Sequence, residues 1–289
     1  MNINNDIKPI YYKITNKNEN HNGFQYQDGL NILIEPFRKT RSCVPGGLYF
    51  TTIEYIHQFY HLGVNIRVVE LPDEDPDFLM VKDPDGDKWR ANKIILGKKY
   101  SLLDPLTYTE LGLDITKNDQ LMNLASQYGR IDVLEWWKNS GLKRKYSYRA
   151  MNLASKYGHV NVLEWWKVSG LKLKYQYDAM NWASENNQVD VLEWWKRSGL
   201  KLVYDNRAMD SASAIGHVNV LEWWKRSDLE LKYTSKAIYM ASGNGHVDVL
   251  EWWKRSGLKL KYSEWAFPNG HINVLEWLEK SGLNLKNSQ

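Results

Sequence analysis

Asp83, Asp85 and Asp87 alternate in the run DPDGD, the spacing at which a calcium loop presents its first oxygen ligands. The twelfth position of such a loop needs a glutamate, and this chain has Ile94 there, so the run reads as a hairpin turn. His57 and His61 lie four apart, which would put two imidazoles on one helix face within reach of a shared metal. No cysteine or carboxylate joins them in a ligand pattern, and no metal is expected. Cys43, the single cysteine, has no hydrolase signature around it and cannot form an internal disulfide. His159, His217, His246 and His271 occupy one equivalent place in a repeated sequence, where other copies carry Arg130 and Gln188. A catalytic imidazole would not be needed four times at a fixed step, so these histidines read as turn residues. Lys172 and Lys174, Lys259 and Lys261, and Lys143-Arg144-Lys145 form a ladder of positive charge interleaved with Tyr146, Tyr175, Tyr204, Tyr233 and Tyr262. Phosphate contact with base stacking could use such a set. The plainer reading of Leu-Lys-Leu-Lys is lysine outward and leucine inward. No catalytic residue and no cofactor is expected.

The element that positions most of these residues is a repeat. Glu-Trp-Trp-Lys recurs at Glu135, Glu164, Glu193, Glu222 and Glu251, in steps of 29 residues, and Glu276-Trp277-Leu278 follows after 25. Each unit reads as two helices. The first runs from Arg149 to Tyr157 and stops at Gly158; the second runs from His159 to Ser169 and stops at Gly170. Val160, Leu163 and Trp166 are expected to form its buried face, with Ala154 where the paired helices pass closely. Glu164 and Lys167 are expected to pair weakly on the outside. Leu-Lys-Leu-Lys-Tyr then leads to the next unit in extended form. A helix pair this small cannot bury its apolar face alone, whereas stacked copies can, which makes a solenoid. One tryptophan of each pair is expected to face the partner helix and the other the neighbouring repeat. The last unit lacks four residues of the first helix, carries Pro268 and has Leu278 for the second tryptophan, so residues 264–289 read as a cap.

Composition agrees with a folded chain. Its 289 residues hold 14 Trp and 18 Tyr against 6 Phe, enough aromatic area for a core despite a polar average. The net charge of +4, mildly acidic before Asp119 and mildly basic after it, is too small to indicate nucleic acid or an anionic membrane. The start is rich in Asn and Lys, lacks the apolar core of a secretory signal, and no apolar run is long enough to span a bilayer. With one cysteine, an intracellular, soluble, monomeric protein is expected.

Before Leu111 there is no such period. Residues 1–20 read as a polar tail and 21–112 as a small α+β domain. Leu30–Ile34 and Ile66–Val69 read as strands, and Ile53–Leu62 as a helix closed by Gly63. Phe78–Val81 and Lys93–Leu96 read as strands flanking the DPDGD turn. Leu111-Gly-Leu-Asp-Ile matches the words between repeats, so the array, 113–289 with about six units, is expected to begin directly against this domain.

Leu153-Ala-Ser-x-x-Gly-His-Val-x-Val-Leu, followed by Gly170-Leu, resembles the ankyrin repeat at its first-helix end, turn and second helix. The fuller wording VLEWWKxSGLKLKY is similar to the ankyrin-type proteins encoded by giant DNA viruses of the mimivirus kind. Gly47-Leu-Tyr-Phe-Thr-Thr, Val68-Val-Glu-Leu-Pro and Lys88 to Leu96 resemble the N-terminal module attached to them. The unit is shorter than the family's usual length and reads Ala150-Met-Asn-Leu where the family has Thr-Pro-Leu-His, so a short turn is expected in place of the long β-hairpin. The resemblance implies a mainly α fold, an ankyrin-like solenoid after a small α+β domain. It also implies a protein-interaction scaffold, with an unidentified protein of the host as the expected partner. Two other functions stay open: nucleic-acid binding through the Lys/Tyr ladder, and an enzymatic N-terminal domain, since Gly46-Gly47-Leu-Tyr-Phe-Thr faintly resembles ADP-ribosyltransferase-like folds. Contacts on an ankyrin-like array are expected at positions that vary between copies. These are Tyr148, Tyr177, Asn206 and Ser235; Arg149, Asp178, Arg207 and Lys236; and Asn152, Asn181, Asp210 and Tyr239.

Overall fold

The computed structural model describes residues 9–21, 23–40, 45–142, 146–262 and 271–283. Contacts divide the chain into two compact units, 1–124 with 135–145, and 125–134 with 146–289. Cys43, Pro268 and the Lys143–Lys145 run lie outside the described residues.

In the first unit, short apolar runs broken by Gly, Pro, Asn and Asp form strands. They are β1 (Tyr11–Thr15), β2 (Asn20–His21), β3 (Phe24–Gln25), β4 (Gly29–Ile32), β5 (Leu48–Thr52), β6 (Asn65–Glu70), β7 (Met80–Lys82), β8 (Trp89–Ala91) and β9 (Lys93–Ser101). Seven make one antiparallel sheet in the order β4-β9-β6-β1-β5-β8-β7, and β2 pairs with β3. The middle strand is β1, so the stretch expected as a polar tail carries the centre of the sheet. All five of its residues are buried. Tyr11 packs with Leu48 and Phe50 on one face; Tyr12 and Ile14 pack with Ile56, Tyr60 and Tyr108 on the other. A strand covered on both faces lacks the polar alternation that marks a half-buried one, and its Asn- and Lys-rich flanks hide it further.

Two other expectations are corrected. The segment read as a helix over Ile53–Leu62 is a 3-10 helix over Ile56–Leu62. Gly63 does not close it in a left-handed turn: its φ of 174° is extended. A Cβ there would lie 2.0 Å from the Thr15 carbonyl oxygen, so the glycine answers a close backbone approach. The DPDGD turn, closed by the Asp83 N–H on the Lys88 carbonyl at 2.9 Å, joins β7 to β8. Residues 93–96, expected as its second strand, belong to β9, which pairs with β4 and β6 instead.

Helices α1 (Pro105–Glu110), α2 (Leu121–Gln127) and α3 (Ile131–Asn139) follow; the last two straddle the division between units. Then come the pairs α4 (Arg149–Lys156) and α5 (Val160–Val168), α6 (Asp178–Glu185) and α7 (Val189–Arg197), α8 (Arg207–Ala214) and α9 (Val218–Arg226), α10 (Lys236–Gly243) and α11 (Val247–Arg255), and finally α12 (Ile272–Ser281). From α4 to α10, first helices stack on first helices, and each second helix lies against its own first helix. The described connectors contain no strand, in keeping with a short turn. Ala154, Ala183, Ala212 and Ala241 are fully buried where the helices pass closely. In α5 the buried face is Val162, Leu163, Trp165 and Trp166, and Val160 is only half-buried.

Both tryptophans of a pair reach back to the preceding repeat. The second, Trp166, Trp195, Trp224 or Trp253, is fully buried, and its Nε1–H donates to Ser126, Ser155, Ser184 or Ser213 Oγ, each at 3.0 Å. The first is more exposed in most copies: Trp194, Trp223, Trp252 and Trp277 donate to Glu164, Glu193, Glu222 and Glu251 at 2.8–3.0 Å. Within a pair the rings meet edge to face at 5.1 Å. The expected Glu164–Lys167 pair is thus replaced at the glutamate by an indole. Fully burying one such ring is worth about 1.5–3 kcal/mol, so the array's stability is concentrated at the boundaries between repeats. No helix among the described residues is long and apolar enough to cross a membrane.

Candidate interaction surface

The left-handed turn between paired helices is fixed by Gly158, Gly216 and Gly245, each with φ near 80°. Against this turn lies the histidine column. His159 Nε2 donates to the Gln127 carbonyl and His271 Nε2 to the Gly243 carbonyl, both at 2.9 Å. The ring of His246 sits on Gly216, and Gln188 takes the same place on Gly158. Each of these four side chains hooks its own repeat to the one before it, beyond the turn role expected of the histidines.

The tyrosines of the Lys/Tyr ladder are engaged inside the array. Tyr146, Tyr175, Tyr204 and Tyr233 hydroxyls donate to the carbonyls of Lys172, Lys201, Glu230 and Lys259 at 2.8–3.1 Å. Their rings pack on Trp166, Trp195, Trp224 and Trp253 with centroids 4.7–4.9 Å apart. Burial raises the pKa of Tyr175, Tyr204 and Tyr233. Lys174 and Lys261 lie over Tyr146 and Tyr233 and donate to those residues' own carbonyls. Stacking on a base would have to displace these contacts.

Three of the twelve variable positions are not surface. Asn152, Asn181 and Asp210 are buried. Their Oδ1 atoms accept the backbone N–H of Gln176, Asp205 and Thr234 at 3.2, 3.3 and 2.8 Å, fastening the start of the next first helix. Position-by-position variation between Asn and Asp reflects this shared acceptor role. The fourth member of that column, Tyr239, is 48% exposed. Tyr148, Arg149, Tyr177, Arg207, Ser235 and Lys236 are exposed, and Asp178 and Asn206 half so. Arg207 lies over the Tyr177 ring at 4.5 Å and pairs with Asp205 at 3.0 Å and Asp178 at 3.6 Å, joining two adjacent repeats.

A second exposed set was missed. Tyr157 (45% exposed), Ile215 (46%) and Met240 lie at or near the C-terminal ends of first helices, with Trp182 half-buried at the place Leu153 and Met240 hold in their copies. Helices α7, α9 and α11 instead show Lys and Arg, Lys196 and Arg197, Lys225 and Arg226, Lys254 and Arg255, whereas α5 exposes Val168 and α12 exposes Ile272 and Leu275. Over the middle repeats the first helices therefore show aromatic and aliphatic side chains and the second helices α7, α9 and α11 show charge. The signal lies in the columns of the repeat, because Tyr157/Asn186/Ile215/Asn244 and Leu153/Trp182/Ser211/Met240 vary while the second-helix columns, that of Asn139, Val168 and Arg197 apart, stay nearly constant.

In the first unit, the carboxylate of Asp83 is buried and turned toward Lys88 (3.8 Å) and Arg90 (3.9 Å), inside the hairpin that the turn closes. His61 Nδ1 lies 3.0 Å from the Gln58 carbonyl, and His57 is half-buried. Among the described residues no group of three or more His, Cys, Asp or Glu is placed to hold a metal ion. Gly46 and Gly47 are tight against Pro36, Arg38 and Arg90, a packing reason for the glycines in the run that resembled an ADP-ribosyltransferase segment.

Stacked two-helix units with a left-handed glycine turn and a variable first-helix face define an ankyrin-type repeat protein. The sequence is 46% identical over 131 residues to the ankyrin repeat protein R868 of Acanthamoeba polyphaga mimivirus, covering 44% of this chain and 65% of that one. It is 39% identical over 148 residues to the ankyrin repeat protein R896 of the same virus, covering 50% and 45%. It is 49% identical over 131 residues to that virus's uncharacterized protein R869, covering 43% of this chain and 94% of that one. The chain belongs to this family of mimivirus ankyrin repeat proteins. The matched stretch spans just under two-thirds of R868 and less than half of R896. No family model matches the chain. The crystal structure of the human ASB11 ankyrin repeat domain is similar with a TM-score of 0.47 at 16% identity, over 57% of this chain and 85% of that one.

Proposed function

We propose that the array is a non-catalytic scaffold that binds a host protein through its first-helix face. The observation that carries this reading is the set of exposed apolar side chains on that face, Tyr157, Ile215, Tyr239 and Met240, beside the lysine and arginine pairs of α7, α9 and α11. Apolar surface that is not used in the fold is costly in water and is the common mark of a protein contact. Tyr148, Tyr177 and Arg207 extend the patch at the other end of the same helices, and aromatic and arginine side chains are the usual centres of binding energy. The residues proposed to contact the partner are the nine solvent-accessible variable positions together with Tyr157, Trp182, Ile215 and Met240. The test is capture from Acanthamoeba polyphaga lysate with the full chain and with a triple Tyr177→Ala, Arg207→Ala, Tyr239→Ala variant. A specific partner that the variant loses is the expected result. A partner held equally by the variant, and lost instead when second-helix lysines are changed, moves the site to the other face.

A further inference from the structure

Strand β1 buries a lysine at the centre of the sheet. Lys13 is 6% exposed, and its neighbour across β6 is Arg67, itself buried. Two cations face each other in the sheet, a destabilising arrangement unless each is neutralised. Arg67 is: Glu19 takes two bonds from its Nη1 at 3.0 and 2.9 Å, and Asp28 pairs with its Nη2. Lys13 is not. Its Nζ donates to the Tyr49 carbonyl at 2.8 Å and lies 4.4 Å from the Tyr26 ring centroid, and no carboxylate pairs with it among the described residues. Two of its three N–H groups have no acceptor there.

Lys13 also lines a cleft of about 1190 Å3 in the first unit. On the face of the sheet that carries Lys13 its walls include Phe24, Tyr26 and Tyr49, and its polar lining includes Lys88 and Asn31. The charged groups near Lys13 include His21 on β2, Arg67 on β6 with its partners Glu19 and Asp28, and Lys88 and Arg90 beside the Tyr49 ring; exposed Glu35 also lines the cleft. The volume suits a small molecule, aromatic walls suit a flat ring, and an unneutralised buried ammonium suits a negative group.

We propose that this cleft is a binding site for a small aromatic anion, with Lys13 as its charged anchor and the tyrosine and phenylalanine rings as its walls. The cleft belongs to the first unit, and the proposal does not depend on the protein contact assigned to the array. The anion supplies the counter-charge that Arg67 has and Lys13 lacks.

The test uses the full chain and two fluorescent probes of like shape, 8-anilinonaphthalene-1-sulfonate and the uncharged N-phenyl-1-naphthylamine. Saturable sulfonate binding is expected, weakened about tenfold or more in Lys13→Met and kept within about threefold in Lys13→Arg. The uncharged probe is expected to bind all three proteins alike. Sulfonate affinity should also fall between about pH 6 and pH 8.5, as Lys13 loses its proton, while the uncharged probe stays level. Absence of saturable sulfonate binding, equal sulfonate affinity in Lys13→Met, or loss of both probes together in both variants overturns the proposal.

Discussion

The Trp224 indole N–H donates to the Ser184 hydroxyl at 3.0 Å, across the boundary between two repeats and forty positions along the chain. Ser184 in turn donates to the Met180 carbonyl at 2.9 Å, so one hydroxyl joins a second helix to the first helix of the copy before it. The ladder has two open ends. Among the described residues Trp137 Nε1 at the start and Ser242 Oγ at the finish are buried with no hydrogen-bond partner; at the finish Leu278 stands where the next tryptophan would be.

Removal of an interior rung and of the terminal one should therefore differ in sign. Ser184→Ala leaves a buried indole N–H unpaired and is expected to cost about 1–3 kcal/mol. Ser242→Ala removes a hydroxyl that has no partner and is expected to be neutral or slightly stabilising. Urea unfolding of both variants, followed by tryptophan fluorescence, checks the pair; equal losses would remove the ladder as a source of stability.

Asp228 occupies the place that Gly170, Gly199 and Gly257 hold in other copies, and it has φ of 59°. A non-glycine residue in that region is strained, while glycine is not. Asp228→Gly is expected to stabilise the array by about 0.5–1 kcal/mol, read as a rise in the thermal midpoint. A fall would show that the carboxylate has a role of its own.

Glu193, Glu222 and Glu251 have lowered pKa values, first because an indole N–H of the next repeat donates to each and also because Arg197, Arg226 and Arg255 approach on the same helix. A carboxylate whose folded pKa lies below its unfolded value contributes stability above the unfolded pKa and loses it as pH falls through the folded one. The array should weaken on acidification below about pH 4.5, and replacing all three glutamates by glutamine should flatten that limb of the pH profile. An unchanged acid limb in the triple variant would count against it.

Lys13 has the opposite sense. Burial lowers its pKa from 10.5 to about 7. Between those values the unfolded chain holds a proton that the folded chain lacks, so stability rises with pH, and below about pH 7 the group contributes no slope. The first unit is expected to resist urea better at pH 9 than at pH 7 by about 1 kcal/mol or more, and Lys13→Met should abolish the difference. Hydrogen exchange at β1 and β6 amides, corrected for intrinsic rates, localises the effect to this sheet. A slope that survives in Lys13→Met would assign it to another group.

The array was legible from the sequence because each repeat restates the same requirement. Trp166, Ser155 and Gly158 each recur in phase, so a single pass shows two helices, a left-handed turn and a stacked core. The exposure of the candidate positions was legible in part. Tyr177 and Arg207 are exposed on adjacent repeats as their variation suggested, but Asn152, Asn181 and Asp210 vary while buried, since Asn and Asp accept the same backbone N–H. Variation marks a change of residue, not its exposure.

By itself the sequence determined the repeat length, the helix pairs and the tryptophan-rich core, because those rest on local periodicity and on side chains that cannot stay in water. Only the tertiary structure decided that Tyr11–Thr15 is the middle strand of a sheet, that Glu164 meets Trp194 and not Lys167, and that Lys13 is buried opposite Arg67. Strand pairing and charge burial depend on partners thirty to sixty residues away, and no local pattern in a five-residue strand records which partners those are.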